Sequence, residues 1–252
     1  MNTEGFDIFD ILPLSQESPE QLMMGNQSKD KVRKLLEELP EEQKEVVLLK
    51  NKDNFFPLNT TQKLTIAVIG ENAVKSMTTG GGSSELKANY EISPLEGIKK
   101  RFKNASIIFS KGYTSEDTNQ SRKSLINEAL VTASMADVVL FFGGLNKNRG
   151  QDCEAADREE LKLPYNQDYL IAELQKVNPN IGVVLVSGNA VSMPWIYDVK
   201  TVFQAWYLGS EAGNAIADII SGDSNPSGKL PFSFPVKLSD NSAHFFGELS
   251  YP

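Results

Sequence analysis

Two kinds of apolar spacing run along this chain. Between Lys29 and Lys50, the residues Val32, Leu35, Leu36 and Leu39, followed by Val46 and Val47, fall at helical intervals, and Pro40 is placed to open a second helix. From Leu64 onward the pattern becomes a series of short runs that are apolar at every position, the mark of strands buried on both faces. Such runs predict strands over 64–69, 105–109, 137–142, 182–187 and 202–205. Amphipathic segments between and after them predict helices over 122–134, 166–177 and 211–221. A further helix is announced by Ser93-Pro94-Leu95-Glu96, which offers an N-cap serine, a proline at the first helical position and a glutamate placed for a capping box. Gly222 is positioned to close the last helix.

Alternating strands and helices of this kind predict a three-layer α/β/α sandwich with a mostly parallel sheet of about five or six strands. A short helical segment precedes it. The expected division is a flexible lead-in and helical linker over 1–55 and the α/β sandwich over 56–252, with residues 1 to about 27 too mixed in acids, Pro and Ser to show periodicity. The 252 residues suffice for one sizeable core. In a parallel sheet the loops leaving the carboxyl ends of the strands form the ligand-facing rim. Two of them stand out: Thr78-Thr79-Gly80-Gly81-Gly82-Ser83-Ser84 after the first predicted strand, and the long loop after the third, which carries Gln151-Asp152-Cys153-Glu154-Ala155-Ala156-Asp157-Arg158.

Composition removes several function classes. Lys and Arg total 25 against 33 acids, a formal charge of -8, and the basic residues are scattered, so nucleic acid is not an expected partner. No apolar run approaches the roughly 18 residues of a membrane helix, and Met1-Asn2-Thr3-Glu4-Gly5-Phe6-Asp7 shows no secretory signal, which predicts a cytoplasmic chain. One cysteine, Cys153, excludes an internal disulfide; with the one histidine, His244, it cannot complete a structural zinc site. No metal or cofactor is implied.

Among the remaining chemistry the acidic loop is the most informative. About twelve residues separate the strand end from Glu154, enough for an extended arm of roughly 40 Å that leaves its own domain. A carboxyl group delivered to a neighbouring cleft is desolvated there, its pKa rises, and it becomes suited to protonate a leaving oxygen. The competing reading is solvated surface, with Arg158 paired locally to Asp157. The triple glycine invites a phosphate-cradle reading, but it lacks both the Walker ending and the dinucleotide spacing. Gly70 and Gly188-Asn189 follow strands, where tight turns need such residues for geometry alone. His244 has no nucleophile-elbow sequence to serve. Trp206 and Tyr207 leave the last strand where an aromatic ring can either stack on a sugar or fill core space.

Several segments, taken in order over roughly residues 45 to 252, resemble the α/β sandwich domain of family 3 glycoside hydrolases, the β-glucosidase and β-xylosidase group. They include Ala67-Val68-Ile69-Gly70, Gly80-Gly81-Gly82-Ser83, Ser93-Pro94-Leu95-Glu96-Gly97-Ile98, Glu154-Ala155-Ala156-Asp157-Arg158, Ala205-Trp206-Tyr207-Leu208-Gly209-Ser210-Glu211 and Asn225-Pro226-Ser227-Gly228-Lys229-Leu230-Pro231. The resemblance implies that Glu154 is the general acid/base of a retaining β-glycosidase, and that Asp157, Arg158, Gly81, Ser83 and Trp206 are candidate contacts to a β-glycoside substrate. It also implies an aspartate nucleophile on a (β/α)8 barrel, a domain of roughly 250 residues, whereas about 55 precede the sandwich. The expectation is therefore a truncated or excised domain that meets its barrel in cis or in trans and hydrolyses little alone. Intact relatives are often secreted or periplasmic. A non-catalytic sugar-binding or interaction module, a nucleotide-binding α/β protein, and a homo-oligomer formed through the uncovered docking face stay open as alternatives.

Overall fold

The computed structural model describes residues 45–75, 79–85, 87–116, 121–154, 156 and 158–240. The lead-in, the helices expected from Lys29 up to residue 44, Asp157 and His244 lie outside the described residues. Six strands are described: β1 (Val47–Asn51), β2 (Thr65–Ile69), β3 (Ser106–Ser110), β4 (Val138–Gly144), β5 (Ile181–Val186) and β6 (Thr201–Gln204). Four α-helices accompany them: α1 (Pro94–Arg101), α2 (Arg122–Ser134), α3 (Gln167–Val177) and α4 (Ala212–Ser221). The sheet order is β1-β6-β5-β4-β2-β3. All neighbours are parallel except β1, which runs antiparallel to β6 at one edge.

The double-faced apolar runs divide as strand geometry requires, successive side chains pointing to opposite faces. Ile66, Val68, Leu140 and Phe142 belong to one core with Ile98 and Phe102 of the α1 region and Ile216 and Ile220 of α4. Ala67, Ile69, Val139 and Phe141 belong to the other, with Ala129 and Ala133 of α2 and Leu170 and Leu174 of α3. Each large side chain so buried contributes about 1.5–3 kcal/mol relative to exposure. The result is the three-layer sandwich with a mostly parallel sheet.

Local signals act where they were expected. The Ser93 hydroxyl accepts from the Glu96 N–H at 3.3 Å, and Glu96 Oε2 accepts from the Ser93 N–H at 2.9 Å, forming the capping box of α1. Gly222 ends α4 in the left-handed region, with φ 82°.

One expectation is overturned. Val46 and Val47, assigned to a helix, lead into strand β1, whose register pairs Val47 with Gln204 and Asn51 with Thr201 across a bulge between Leu48 and Lys50. Val46-Val47-Leu48-Leu49 is an apolar run of strand type, and pairing with β6 completes the sheet edge while burying Val46 and Val47. The sheet thus begins within the segment assigned to the linker.

Because β2, β4, β5 and β6 are parallel, the loops leaving their carboxyl ends share one edge of the sheet. The root of the loop after β4 is held by the fully buried Gln167, whose amide donates to the Gly144 carbonyl (2.9 Å) and whose oxygen accepts from the Gly144 N–H (2.8 Å). Among the described residues no helix is long and apolar enough to cross a membrane.

Candidate active-site rim

The long loop after β4 does not run free. Gln151 donates its amide to the Tyr165 hydroxyl at 2.6 Å and accepts from the Asn146 N–H at 3.0 Å, which folds residues 146–151 back on themselves. Tyr165 is in turn stacked on Tyr113, ring centroids 6.3 Å apart. This fold returns the chain to the rim at Asp152.

Asp152 is buried and every polar group it has is engaged. Its N–H donates to Asn146 O (3.0 Å), and its carbonyl accepts from the Gly81 N–H (2.8 Å). Its carboxylate accepts from the Gly188 N–H (2.7 Å), the Asn189 amide (2.7 Å) and the Tyr207 hydroxyl (2.6 Å). One residue therefore joins the loops after β2, β4, β5 and β6. Burial, and then the nearby Asp152 charge, push the Tyr207 phenol well above its ordinary pKa, so it stays a neutral donor to that carboxylate.

Two residues further on, Glu154 is exposed at the mouth of the rim. Hydrogen bonds from the Ser83 hydroxyl and from the Ser83 N–H, the latter at 2.8 Å, hold its carboxyl below the ordinary glutamate value. Gly81 and Cys153 form an isolated parallel bridge, so the glycine-rich and acidic loops meet through their backbones at this one point. Gly82 has φ 84°, a backbone shape that favours glycine. The loop thus seats a carboxylate of its own chain on the Ser83 N–H, which argues against the phosphate-cradle reading.

Arg158 is half-buried and is not in a described ion pair. Its guanidinium donates to the carbonyls of Ala190 (2.9 Å) and Glu160 (3.0 Å). Gly81, Ser83, Glu154 and Arg158 all border one open cleft of about 1140 Å³, together with Asp152, Asn189, Tyr207, Phe232 and Leu238. Among the described residues no group of three or more His, Cys, Asp or Glu is gathered as a metal site.

Trp206, expected as a sugar contact, does not border this cleft. It packs edge-on against Phe232 (5.8 Å) and Phe234 (6.2 Å) and donates its indole N–H to Glu45 O (3.1 Å). Successive residues leaving β6 diverge, and Tyr207 is the one turned to the rim. The forty-ångström arm is also corrected: Glu154 lies two residues from the anchored Asp152, a span of at most about 7 Å. Sequence reasoning passed over Asp152, named Tyr207 only beside Trp206 as an aromatic that could stack on a sugar or fill core space, and gave Gly188-Asn189 a purely geometric role. The one available signal was Asp152's nearness to Glu154, since a lone acid in a polar loop carries no periodicity.

Comparison with known proteins agrees with the shape. The family model described as glycosyl hydrolase family 3 C-terminal domain matches residues 46–251. The chain is 47% identical over 221 residues to beta-glucosidase BoGH3A of Bacteroides ovatus, covering 82% of this chain and 30% of that protein. It is 40% identical over 200 residues to thermostable beta-glucosidase B of Acetivibrio thermocellus, covering 79% of this chain and 26% of the other. The solved structure of a Bifidobacterium adolescentis GH3 beta-glucosidase superposes with a TM-score of 0.72 at 34% identity, over 83% of this chain and 30% of that one. The chain spans less than a third of the length of these relatives.

Proposed function

The chain belongs to the glycosyl hydrolase family 3 C-terminal domain family, and from that premise we propose that it supplies the general acid/base, Glu154, of a retaining β-glycosidase. The observation that carries this reading is the position of Glu154: exposed at the mouth of an open cleft, with its carboxylate steadied by Ser83 and in no ion pair among the described residues. The relatives named beta-glucosidases point to a β-glucoside as substrate.

The nucleophile is expected on another domain, a barrel of the kind the family resemblance implies, joined in the same polypeptide or brought from a second one. Its aspartate attacks the anomeric carbon as the glycosidic C–O bond breaks, and Glu154 gives its proton to the departing oxygen. Glu154, now a carboxylate, takes a proton from water as that water attacks the same carbon and breaks the ester bond to the aspartate. This sequence needs the two carboxyl groups about 5–5.5 Å apart. In the free chain the hydrogen bonds from Ser83 favour the ionised form of Glu154, the opposite of what the first step needs. A barrel covering the rim excludes water there, and that burial raises the carboxyl's pKa toward the acid it must be. Little hydrolysis is expected without such a cover.

The test is hydrolysis of an aryl β-glucoside with a poor leaving group, by the chain combined with a barrel-bearing partner, with and without Glu154→Ala. Loss of general acid catalysis predicts a fall of about 10²–10⁴-fold in kcat. Unchanged turnover removes Glu154 from the mechanism. A second reading, sugar binding without turnover, draws support from the size of the open cleft, about 1140 Å³, that residues of this chain already line. Glucose titration by calorimetry of the free chain, giving binding with no hydrolysis once the barrel is supplied, would favour it.

A further inference from the structure

The segment that carries Glu154 is tied to one short turn from both sides. Before it, Asp152 takes the Gly188 N–H and the Asn189 amide; after it, Arg158 donates to the carbonyl of Ala190, the next residue of the same turn. Tyr207 adds a third hold on Asp152 from the far side, and Gly81 a fourth through the backbone. A carboxylate receiving three donors in a buried place is among the stronger polar anchors available, because its bonds are charge-assisted and water does not compete for them.

We propose that Asp152 and Arg158 form a two-point clamp on the Gly188–Ala190 turn, with Tyr207 as its brace, and that these are the positioning residues that fix where Glu154 can act. The inference rests on the acid/base reading of Glu154 and gives it a consequence. The carboxyl cannot travel to a distant cleft. With Asp152 held, Glu154 sweeps a radius of about 7 Å at the Cα, so the surface bearing the sugar must close directly onto this rim. A catalytic group held in this way enters the reaction with its orientation already set, whereas a free loop would lose entropy at each turnover.

The chain's single cysteine makes the clamp measurable without substrate. Cys153 lies between the anchor and Glu154, half-buried against the rim. Alkylation of Cys153 by iodoacetamide in the full chain should quicken by roughly tenfold or more in Asp152→Ala and in Arg158→Ala, the change in local opening expected when charge-assisted bonds are lost. Tyr207→Phe removes one oxygen and should give a smaller rise in the same direction. It also keeps the test decisive should Asp152→Ala not fold. Circular dichroism and a cooperative melt certify each variant as folded. Labelling unchanged in the folded variants overturns the clamp. In a second arm, with the barrel-bearing partner supplied, Tyr207→Phe should lower kcat on the poor-leaving-group glucoside while leaving KM within about twofold, the signature of misplacement in the transition state rather than weaker binding. Faster labelling with kcat and KM both unchanged overturns the positioning role. If Glu154→Ala leaves hydrolysis intact while the labelling series behaves as expected, the clamp stands and the acid/base reading falls.

Discussion

A Cβ built on Gly82 would lie 2.5 Å from the Cβ of Glu154. The glycine-rich loop and the acidic loop are packed so closely that only a hydrogen fits between them, and φ 84° at Gly82 adds a backbone shape that side chains resist. Gly82→Ala should therefore lower stability by about 1–2 kcal/mol and push Glu154 off the Ser83 N–H. Thermal unfolding measures the first effect. The second appears as a lost Ser83 amide shift in the titration described next. An alanine variant as stable as the parent, with that shift retained, would contradict the packing.

Glu154 should titrate below its ordinary value of 4.5 in the free chain, because the Ser83 hydroxyl and N–H stabilise the carboxylate. The sign follows from linkage: a depressed folded pKa means that this contribution to stability is present above the unfolded pKa and is lost as pH falls through the folded one. The Ser83 amide resonance reports the midpoint directly. On adding a barrel-bearing partner, the midpoint should move upward. A midpoint above 4.5 in the free chain would mean that the bond to Ser83 does not persist in solution.

Trp206→Ala should act on the fold and not on sugar recognition. The ring touches Phe232 and Phe234 and lies off the cleft, so its removal should cost about 2 kcal/mol, less than a fully buried Trp, with KM for a β-glucoside unchanged in the barrel-supplied enzyme. A marked rise in KM at unchanged stability would return Trp206 to the sugar site.

Acid sensitivity should trace in part to Glu71, which is 1% exposed beside the carboxyl end of β2. Burial by itself would raise its pKa, but the Thr114 hydroxyl (2.6 Å), the Ser115 N–H (2.9 Å) and Lys75 outweigh it and hold the carboxyl below 4.5. Its stabilising share is therefore complete above the unfolded pKa and is lost as pH falls through the lower, folded pKa. Glu71→Gln should lower stability near neutrality by about 1.5–3 kcal/mol and flatten the decline of melting temperature at acid pH. An equally steep decline in the variant would assign the acid sensitivity elsewhere.

The alternating order of strands and helices was legible in the residues because hydrophobic period and capping are local properties. Arg122–Ser134 is a helix over the residues its pattern predicts, and Ser93 and Glu96 form the capping box their spacing allows. Glu154 became a candidate for a different reason, since a resemblance spread over several segments singled it out where its own surroundings did not. The tertiary structure decided that Val47–Asn51 is an antiparallel edge strand, that Tyr207 rather than Trp206 turns to the cleft, and that Asp152 is an anchor. Those outcomes depend on which distant segments meet. Asp152 finds its partners 36 and 55 residues away along the chain, at Gly188 and Tyr207. Local pattern carries no record of such meetings, because it is the packing of helices on both faces of the sheet that brings the rim loops together.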